Sequence, residues 1–302
     1  MTKKLALVTG SQQGIGFGLV KALCKSFDGD VILTGLTEQD ATNACAELEK
    51  QGLKPVPHQL DVRDQESVDR LRDFIKEKYG GLDILINNAG ISFLAEMMRA
   101  RGAEVPAHLA ATSRAEIAAE TMKVNFFGTL RVTTAMTPLL RAHARVVQTT
   151  SFGATQLVKR MKGDKADALL RTDWTTPSLC HFVDQYIKDV ASGEHTSLGW
   201  PEDSSYLLAS WAVWNLARVQ QKTFDEDNND VIVNAACPGI TATEITNFKG
   251  KTIEEGCESA LYLASLPHEA SSPRGEMVHG KFVCGFNSAP PGLVTSEELF
   301  KN

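Results

Sequence analysis

The segment Thr9-Gly10-Ser11-Gln12-Gln13-Gly14-Ile15-Gly16 lies between a short apolar run, Leu5 to Thr9, and a stretch with helical spacing. In that stretch Ile15, Leu19, Ala22 and Leu23 fall on one face. A strand that turns on glycines directly into a helix opens a parallel α/β unit. Gly10 can make the tight turn, Gly14 lets the backbone approach a pyrophosphate, and Gly16 lets helix and strand pack closely. The helix N-terminus adds free N–H groups and the positive end of its dipole. Three glycines alone also serve ordinary turns. Their position between first strand and first helix points to a dinucleotide site.

The rest of the chain repeats the alternation. Strands are expected at Val31–Thr34, Val56–Val62, Ile84–Asn87, Arg145–Thr150 and Val231–Ala236, with a last one near Lys281–Cys284. Helices are expected at Thr37–Gln51, Glu66–Tyr79, Ser204–Phe224 and Glu254–Leu266, with one long helix over roughly Arg114–Ala142. This pattern implies one α/β domain over residues 1–302, a doubly wound parallel sheet with helices on both faces. The least regular stretches are 92–113, 152–203 and the tail after Pro267. The first two read as insertions of the kind that carry a lid or an interface.

Charge narrows the function. Lys plus Arg is 31 and Asp plus Glu is 37, a net charge of −6. An acidic chain is a poor nucleic-acid binder, because phosphate requires a basic face. The best uncharged apolar run, Tyr206 to Ala217, falls short of the roughly 18 residues that span a bilayer. The seven histidines show no HExxH or HxH spacing, so no metal site is expected. Six cysteines without a CxxC pair or a secretory signal read as free thiols in a reducing cytosol.

Three motifs in order resemble the short-chain dehydrogenase/reductase family: TGxxxGxG at Thr9–Gly16, Asn87-Asn88-Ala89-Gly90 after strand four, and Pro238-Gly239 after strand six. Within it the chain is similar to the monomeric carbonyl reductase branch. Leu71-Arg72-Asp73-Phe74, Tyr79-Gly80-Gly81-Leu82-Asp83, Asn125-Phe126-Phe127-Gly128-Thr129 and Gly199-Trp200-Pro201 carry that likeness. So does the long insertion before Tyr206, which in that branch covers the face related enzymes use to oligomerise. The resemblance implies a Rossmann fold, a cytoplasmic monomer, a small carbonyl substrate and a nicotinamide cofactor.

By the same resemblance Gly10, Gln12, Gln13, Gly14, Ile15 and Gly16 cradle the cofactor, and Asp61 and Val62 meet its adenine. Asn88, Ala89 and Gly90 line the cleft beside ribose and diphosphate, and Pro238, Gly239 and Thr243 hold the nicotinamide end. Asp61 can also be read as a helix-start residue, and Asn87-Asn88 as a turn. The branch implies NADP(H). It has an arginine where this chain has Leu36 and a basic residue where it has Gln13. Glu38 and Asp40 lie nearby, so a 2′-phosphate lacks its expected charge-assisted partners and NAD(H) stays open.

The family's chemistry is hydride transfer between nicotinamide and a carbonyl or alcohol carbon. Tyr206 matches the tyrosine that handles the proton, Ser151 the serine that hydrogen-bonds the same oxygen, and Asn125 the asparagine that supports a water relay. The family lysine, four residues after the tyrosine, holds the ribose and lowers the phenol pKa; here that position is Ser210. Arg218 and Lys222 follow 12 and 16 positions after Tyr206, about 18 to 24 Å away at about 1.5 Å per residue. Lys159, Lys162 or Lys165 would have to fold back from the insertion to replace it.

Tyr206 can equally be read as a packing aromatic, Ser151 as a strand-end cap and Asn125 as a helix-kink residue. An unperturbed phenol, with pKa about 10, is ionised in roughly one molecule in a thousand at pH 7. Alcohol oxidation, which needs a base, is then expected to be crippled, and carbonyl reduction weak. Three readings follow: an impaired NAD(P)H-dependent carbonyl reductase, a pseudoenzyme that binds the dinucleotide as sensor or scaffold, and a scaffold without cofactor.

Overall fold

The computed structural model describes residues 3–93, 96, 98, 110–227, 229–246 and 248–285. Most of the expected insertion 92–113, and the end of the tail, lie outside these residues. The central sheet has eight strands in the order β3-β2-β1-β4-β5-β6-β7-β8. They are β1 (Leu5–Val8), β2 (Asp30–Gly35), β3 (Val56–Gln59), β4 (Leu82–Asn87), β5 (Leu140–Thr149), β6 (Ile232–Cys237), β7 (Met277–His279) and β8 (Phe282–Cys284). Every pairing is parallel except β7 with β8. The sheet is the doubly wound one the alternation implies. Strand order reverses between β1 and β4, and crevices form at such switch points.

Alternation along the strands builds two cores. Leu5, Leu7, Ile32, Leu85 and Val146 face one side, with Val68, Leu71 and Ile75 of α3 (Gln65–Tyr79). Ala6, Val8, Leu33, Ile86 and Val147 face the other. There they meet α1 (Gly14–Ser26) and α2 (Glu38–Glu49). Burial on both faces explains why β1 is wholly apolar rather than alternating.

Three expectations are corrected. The long helix over 114–142 is not continuous. It runs as α4 (Arg114–Thr121), a π-helical segment (Met122–Gly128), α5 (Thr129–Met136) and a short 3-10 turn (Thr137–Leu139). Leu140 already belongs to β5, where it pairs with Leu82 before a register shift. Pro138 removes an N–H and stops the helix.

The stretch 152–203 is not irregular. It holds α6 (Gly153–Arg160), α7 (Asp164–Leu169) and α8 (Thr176–Ala191). A capping box of Thr175 and Ser178, with Pro in the first turn, starts α8. These helices bury Leu157, Leu169, Leu179 and Val183 together with Trp211 of α9 (Ser205–Asp225). The tail supplies two strands where one was expected, before which α10 (Ile253–Ala264) joins α1.

Among the described residues no helix is long and apolar enough to cross a membrane. None of their His, Cys, Asp and Glu side chains group in threes that could hold a metal ion.

Candidate active site

The loop after β1 is held open by glycine backbones and side-chain hydrogen bonds. Gly10 and Gly14 have φ near +57° and +58°, the left-handed region that glycine enters without penalty. A Cβ at Gly10 would fall 2.8 Å from the Ala89 Cα. A Cβ at Gly16 would fall 2.5 Å from both the Asn88 Nδ2 and the Gly10 carbonyl oxygen. Gly16 therefore admits Asn88, a contact beyond the helix–strand packing expected of it. Asn88 donates from Nδ2 to the carbonyls of Thr9 and Gly10, at 3.1 and 3.0 Å. The Thr9 hydroxyl accepts from the N–H groups of Asn88 and Ala89.

Helix α1 starts from this loop with Gln13 as N-cap. It has no side-chain cap and no acid in its first turn. By contrast α2, α4, α8 and α10 all start with capping boxes. The Gln12 Oε1 is buried and has no hydrogen-bond donor. Gln13 turns its side-chain amide to the Glu244 carboxylate, 3.0 Å away. That bond joins the glycine loop to the loop after β6. Thr243 approaches Gly14, its Cγ2 lying 3.6 Å from where a Cβ would stand. In the same loop Gly239, at φ near +75°, lies under the His279 and Lys251 side chains.

After β3, Asp61 is engaged by its own chain. Arg63 donates from Nε to Oδ1 at 2.9 Å, from Nη2 to Oδ2 at 2.8 Å, and from its backbone N–H to Oδ1. These bonds, first among them the Arg63 side chain, hold the Asp61 carboxyl below the usual range. Val62 packs on Gly128 of the π-helical segment. Its carbonyl accepts from Arg131.

The π-helical segment carries Asn125. Its Oδ1 accepts from the Ile91 N–H at 2.8 Å and its Nδ2 donates to the Ile91 carbonyl at 2.9 Å. One side chain thus ties the helix to the backbone just past Gly90. Such local widening of a helix recurs at functional sites.

Ser151 follows β5, and its Oγ accepts from the Gly153 N–H at 3.1 Å. Tyr206 is the second residue of α9. Burial pushes its phenol above the ordinary tyrosine value and nearby Cys237 adds to the rise; hydrogen bonding by the Ser151 and Ser210 hydroxyls opposes it. Leu207 leans over the start of α6, its Cδ2 3.0 Å from where a Gly153 Cβ would stand.

Ser210 is inward-facing and only 5% exposed. Its carbonyl accepts from the Thr150 hydroxyl at 2.6 Å. None of the insertion lysines folds back onto it. Lys165 is paired with Asp189 at 3.3 Å, and Lys159 and Lys162 face solvent. Lys222 donates to the Thr172 carbonyl. Trp200 anchors the insertion, its Nε1 donating to Asp189 at 2.7 Å. Cys237 is buried, with its Sγ accepting from the Phe152 N–H.

Sequence reasoning missed Glu96. Its Oε1 accepts from the Ser205 N–H at 2.6 Å and its Oε2 from the Tyr206 N–H at 3.3 Å. Helix α9 has no cap from its own N-cap residue, Ser204. A carboxylate more than 100 positions earlier supplies it, and no local pattern marks such a partner. Glu96 is 4% exposed, and burial raises its pKa against the opposing Ser205 and Tyr206 hydrogen bonds.

A family model described as short chain dehydrogenase matches residues 4–162. Carbonyl reductase (NADPH) 1 of Bos taurus is 37% identical over 282 residues, 92% of this chain and 97% of that protein. Carbonyl reductase (NADPH) 3 of Mus musculus is 35% identical over 283 residues, 93% and 97% of the two chains. Among solved structures, salutaridine reductase from Papaver somniferum superposes with a TM-score of 0.78 at 28% identity, covering 91% of this chain and 99% of that one. Menthone neomenthol reductase from Mentha piperita gives 0.75 at 30% identity, covering 92% and 98%.

Proposed function

Because the chain belongs to the short chain dehydrogenase family, we propose that it binds a nicotinamide dinucleotide and slowly reduces small ketones or aldehydes. The observation that carries this reading is the glycine cradle after β1, with Gly10 and Gly14 at positive φ and Asn88 seated on Gly16, together with Ser151 just past β5 and Tyr206 opening α9. The glycine cradle stands at the ends of the neighbouring strands.

The residues present fit the common part of such a cofactor. The positive-φ glycines leave a path for a diphosphate, and the uncapped start of α1 offers its N–H groups. The orphaned Gln12 Oε1 suits a ribose hydroxyl. Gly10, Gln12, Gln13, Gly14, Ile15 and Gly16 would hold the diphosphate side, and Asp61 and Val62 the adenine. Asn88, Ala89 and Gly90 would line the cleft. Pro238, Gly239 and Thr243 would hold the nicotinamide end. The bound dinucleotide supplies the hydride for the carbonyl carbon.

Tyr206 keeps its proton at neutral pH, because burial raises an already high pKa. The phenol therefore acts as acid and gives that proton to the substrate oxygen as negative charge develops there. Ser151 orients the same oxygen. Asn125 fixes the backbone at Ile91 and so the wall beside Gly90. Ser210 brings no positive charge. General acid–base and positioning effects are each often worth about 10²-fold or more, so the missing cation slows reduction and abolishes useful alcohol oxidation.

The test is reduced-cofactor consumption with a carbonyl panel, in the chain and in Tyr206→Phe. A rate that Tyr206→Phe abolishes supports the reductase reading. Binding without turnover on any carbonyl favours the second reading, a dinucleotide-binding pseudoenzyme, for which Ser210 is the argument. The insertion 152–203 packs α8 against α4 and α9, which supports a monomer. Free thiols at Cys24, Cys45, Cys180, Cys237, Cys257 and Cys284 suit the cytoplasm.

A further inference from the structure

We propose that the dinucleotide site is built for a ribose without a 2′-phosphate, so that the chain takes NAD(H) in preference to NADP(H). This rests on the dinucleotide reading above. The relevant place is the crook between β2 and α2, which ends the strand next to the glycine loop. In sites for the phosphorylated ribose an arginine stands there; in sites for the free ribose a carboxylate does.

Three features of this crook oppose a phosphate. First, β2 passes into Leu36, an apolar side chain 48% exposed at the position of a cation. Second, the first turn of α2 is closed by its own carboxylate. Asp40 Oδ2 accepts from the Thr37 N–H at 3.1 Å and from the Thr37 hydroxyl at 2.7 Å, and the Asp40 N–H returns to Thr37 Oγ1. Two of the N–H donors at this helix start, those of Thr37 and Asp40, are therefore taken, and Glu38 adds a second acid to the turn. Third, on the glycine-loop side the Gln13 amide is held by Glu244.

Of these residues, Glu38 and Asp40 on the crook and Glu244 on the glycine-loop side are carboxylates, and neither Leu36 nor Gln13 is a cation. A doubly charged phosphate would face like charge there. A ribose 2′-hydroxyl is a donor and meets acceptors. Glu244 is the element no motif indicates, because it reaches Gln13 from a loop 231 positions later.

The experiment is calorimetric titration of the full chain with NADH and NADPH separately, with Leu36→Arg and the double variant Leu36→Arg/Gln13→Lys alongside. The expected result is NADH bound at least tenfold more tightly, with the ratio falling in Leu36→Arg and inverting in the double variant. Leu36 is exposed, so the arginine should not disturb folding. Equal or tighter binding of NADPH by the unaltered chain overturns this inference and leaves the dinucleotide reading standing. Binding of neither at millimolar concentration overturns both.

Discussion

The Ser210 hydroxyl donates to the carbonyl oxygen of Tyr206 at 2.8 Å, one turn back along α9. The group at the position of the family lysine is thus a neutral hydroxyl bonded to its own helix. A serine bonded back in this way contributes no charge to the phenol one turn earlier.

Ser210→Lys should raise carbonyl reduction by about 10²-fold, from a restored cation beside the phenol and the ribose. It should also lower stability by about 1–3 kcal/mol, because a long charged side chain enters a well-packed position. Turnover and thermal unfolding measured together check both signs. An unchanged rate in a folded variant would mean that the pocket, with Leu207 over Gly153, has departed further than one residue.

The pH profile of reduction should be flat from about pH 6 to pH 9 and fall only above the ordinary tyrosine value of about 10. The raised Tyr206 pKa sets that sign. Stability should follow. Tyr79 is pushed up to about 12 by burial and by its bond to Asp30, and Tyr186 and Tyr206 are raised as well. In alkali the unfolded chain gives up these protons first and binds fewer than the native one. Stability is then fully present below about pH 10 and declines above it. Denaturant midpoints at pH 8 and pH 11 test this; equal midpoints would contradict it.

Glu96→Ala should cost about 1–2 kcal/mol, the usual worth of a helix cap, and should lower turnover by loosening Tyr206. Glu96→Gln keeps an acceptor oxygen and removes a buried charge whose burial is unfavourable. At pH 7 it should therefore equal or exceed the unaltered chain in stability and retain its rate. The native chain itself should lose stability as pH rises from the ordinary glutamate value of 4.5 through the raised one. Equal loss in both variants would refute the capping role.

Asp230 lies at the other end of the sheet. Burial alone would raise its pKa, but the Glu269 N–H, His143 and Arg145 hold it well below the carboxylate range. Arg145 is itself buried, donating to Asp230 at 3.1 Å. Asp230→Asn should destabilise the fold by about 3–5 kcal/mol, the cost of stranding a buried partner. Dinucleotide affinity of the folded fraction should not change, and calorimetry checks that half of the statement.

What the sequence displays depends on the range of the interaction. Val8 to Gly16 is legible because strand, turn and helix start are written in consecutive residues. Asn125, Ser151 and Tyr206 are reached through motif order, and the structure places each at the carboxyl side of the sheet. Helices α6 and α7 are obscured by their short length and by Gly163, whereas the Thr175–Ser178 box is a local signal that marks α8. Periodicity over 114–142 cannot reveal a change of winding that keeps the apolar residues inward. Glu96 and Glu244 are invisible for a different reason: each acts on a residue more than 100 positions away, and nothing near either names its partner.

The segment Met122–Gly128 sets the phase of everything beyond it. Wider winding spends an extra residue without adding a turn, so α5 meets α3 and the sheet on a face that uninterrupted α-winding would rotate away. Deleting a single residue there would make the helix more regular and its hydrogen bonds more ordinary. It would also swing either Asn125 away from Ile91 or Thr133 away from Asn87 and Gln148, which it now joins. The irregular winding acts as a vernier, aligning two sets of contacts that one ideal helix could not satisfy together.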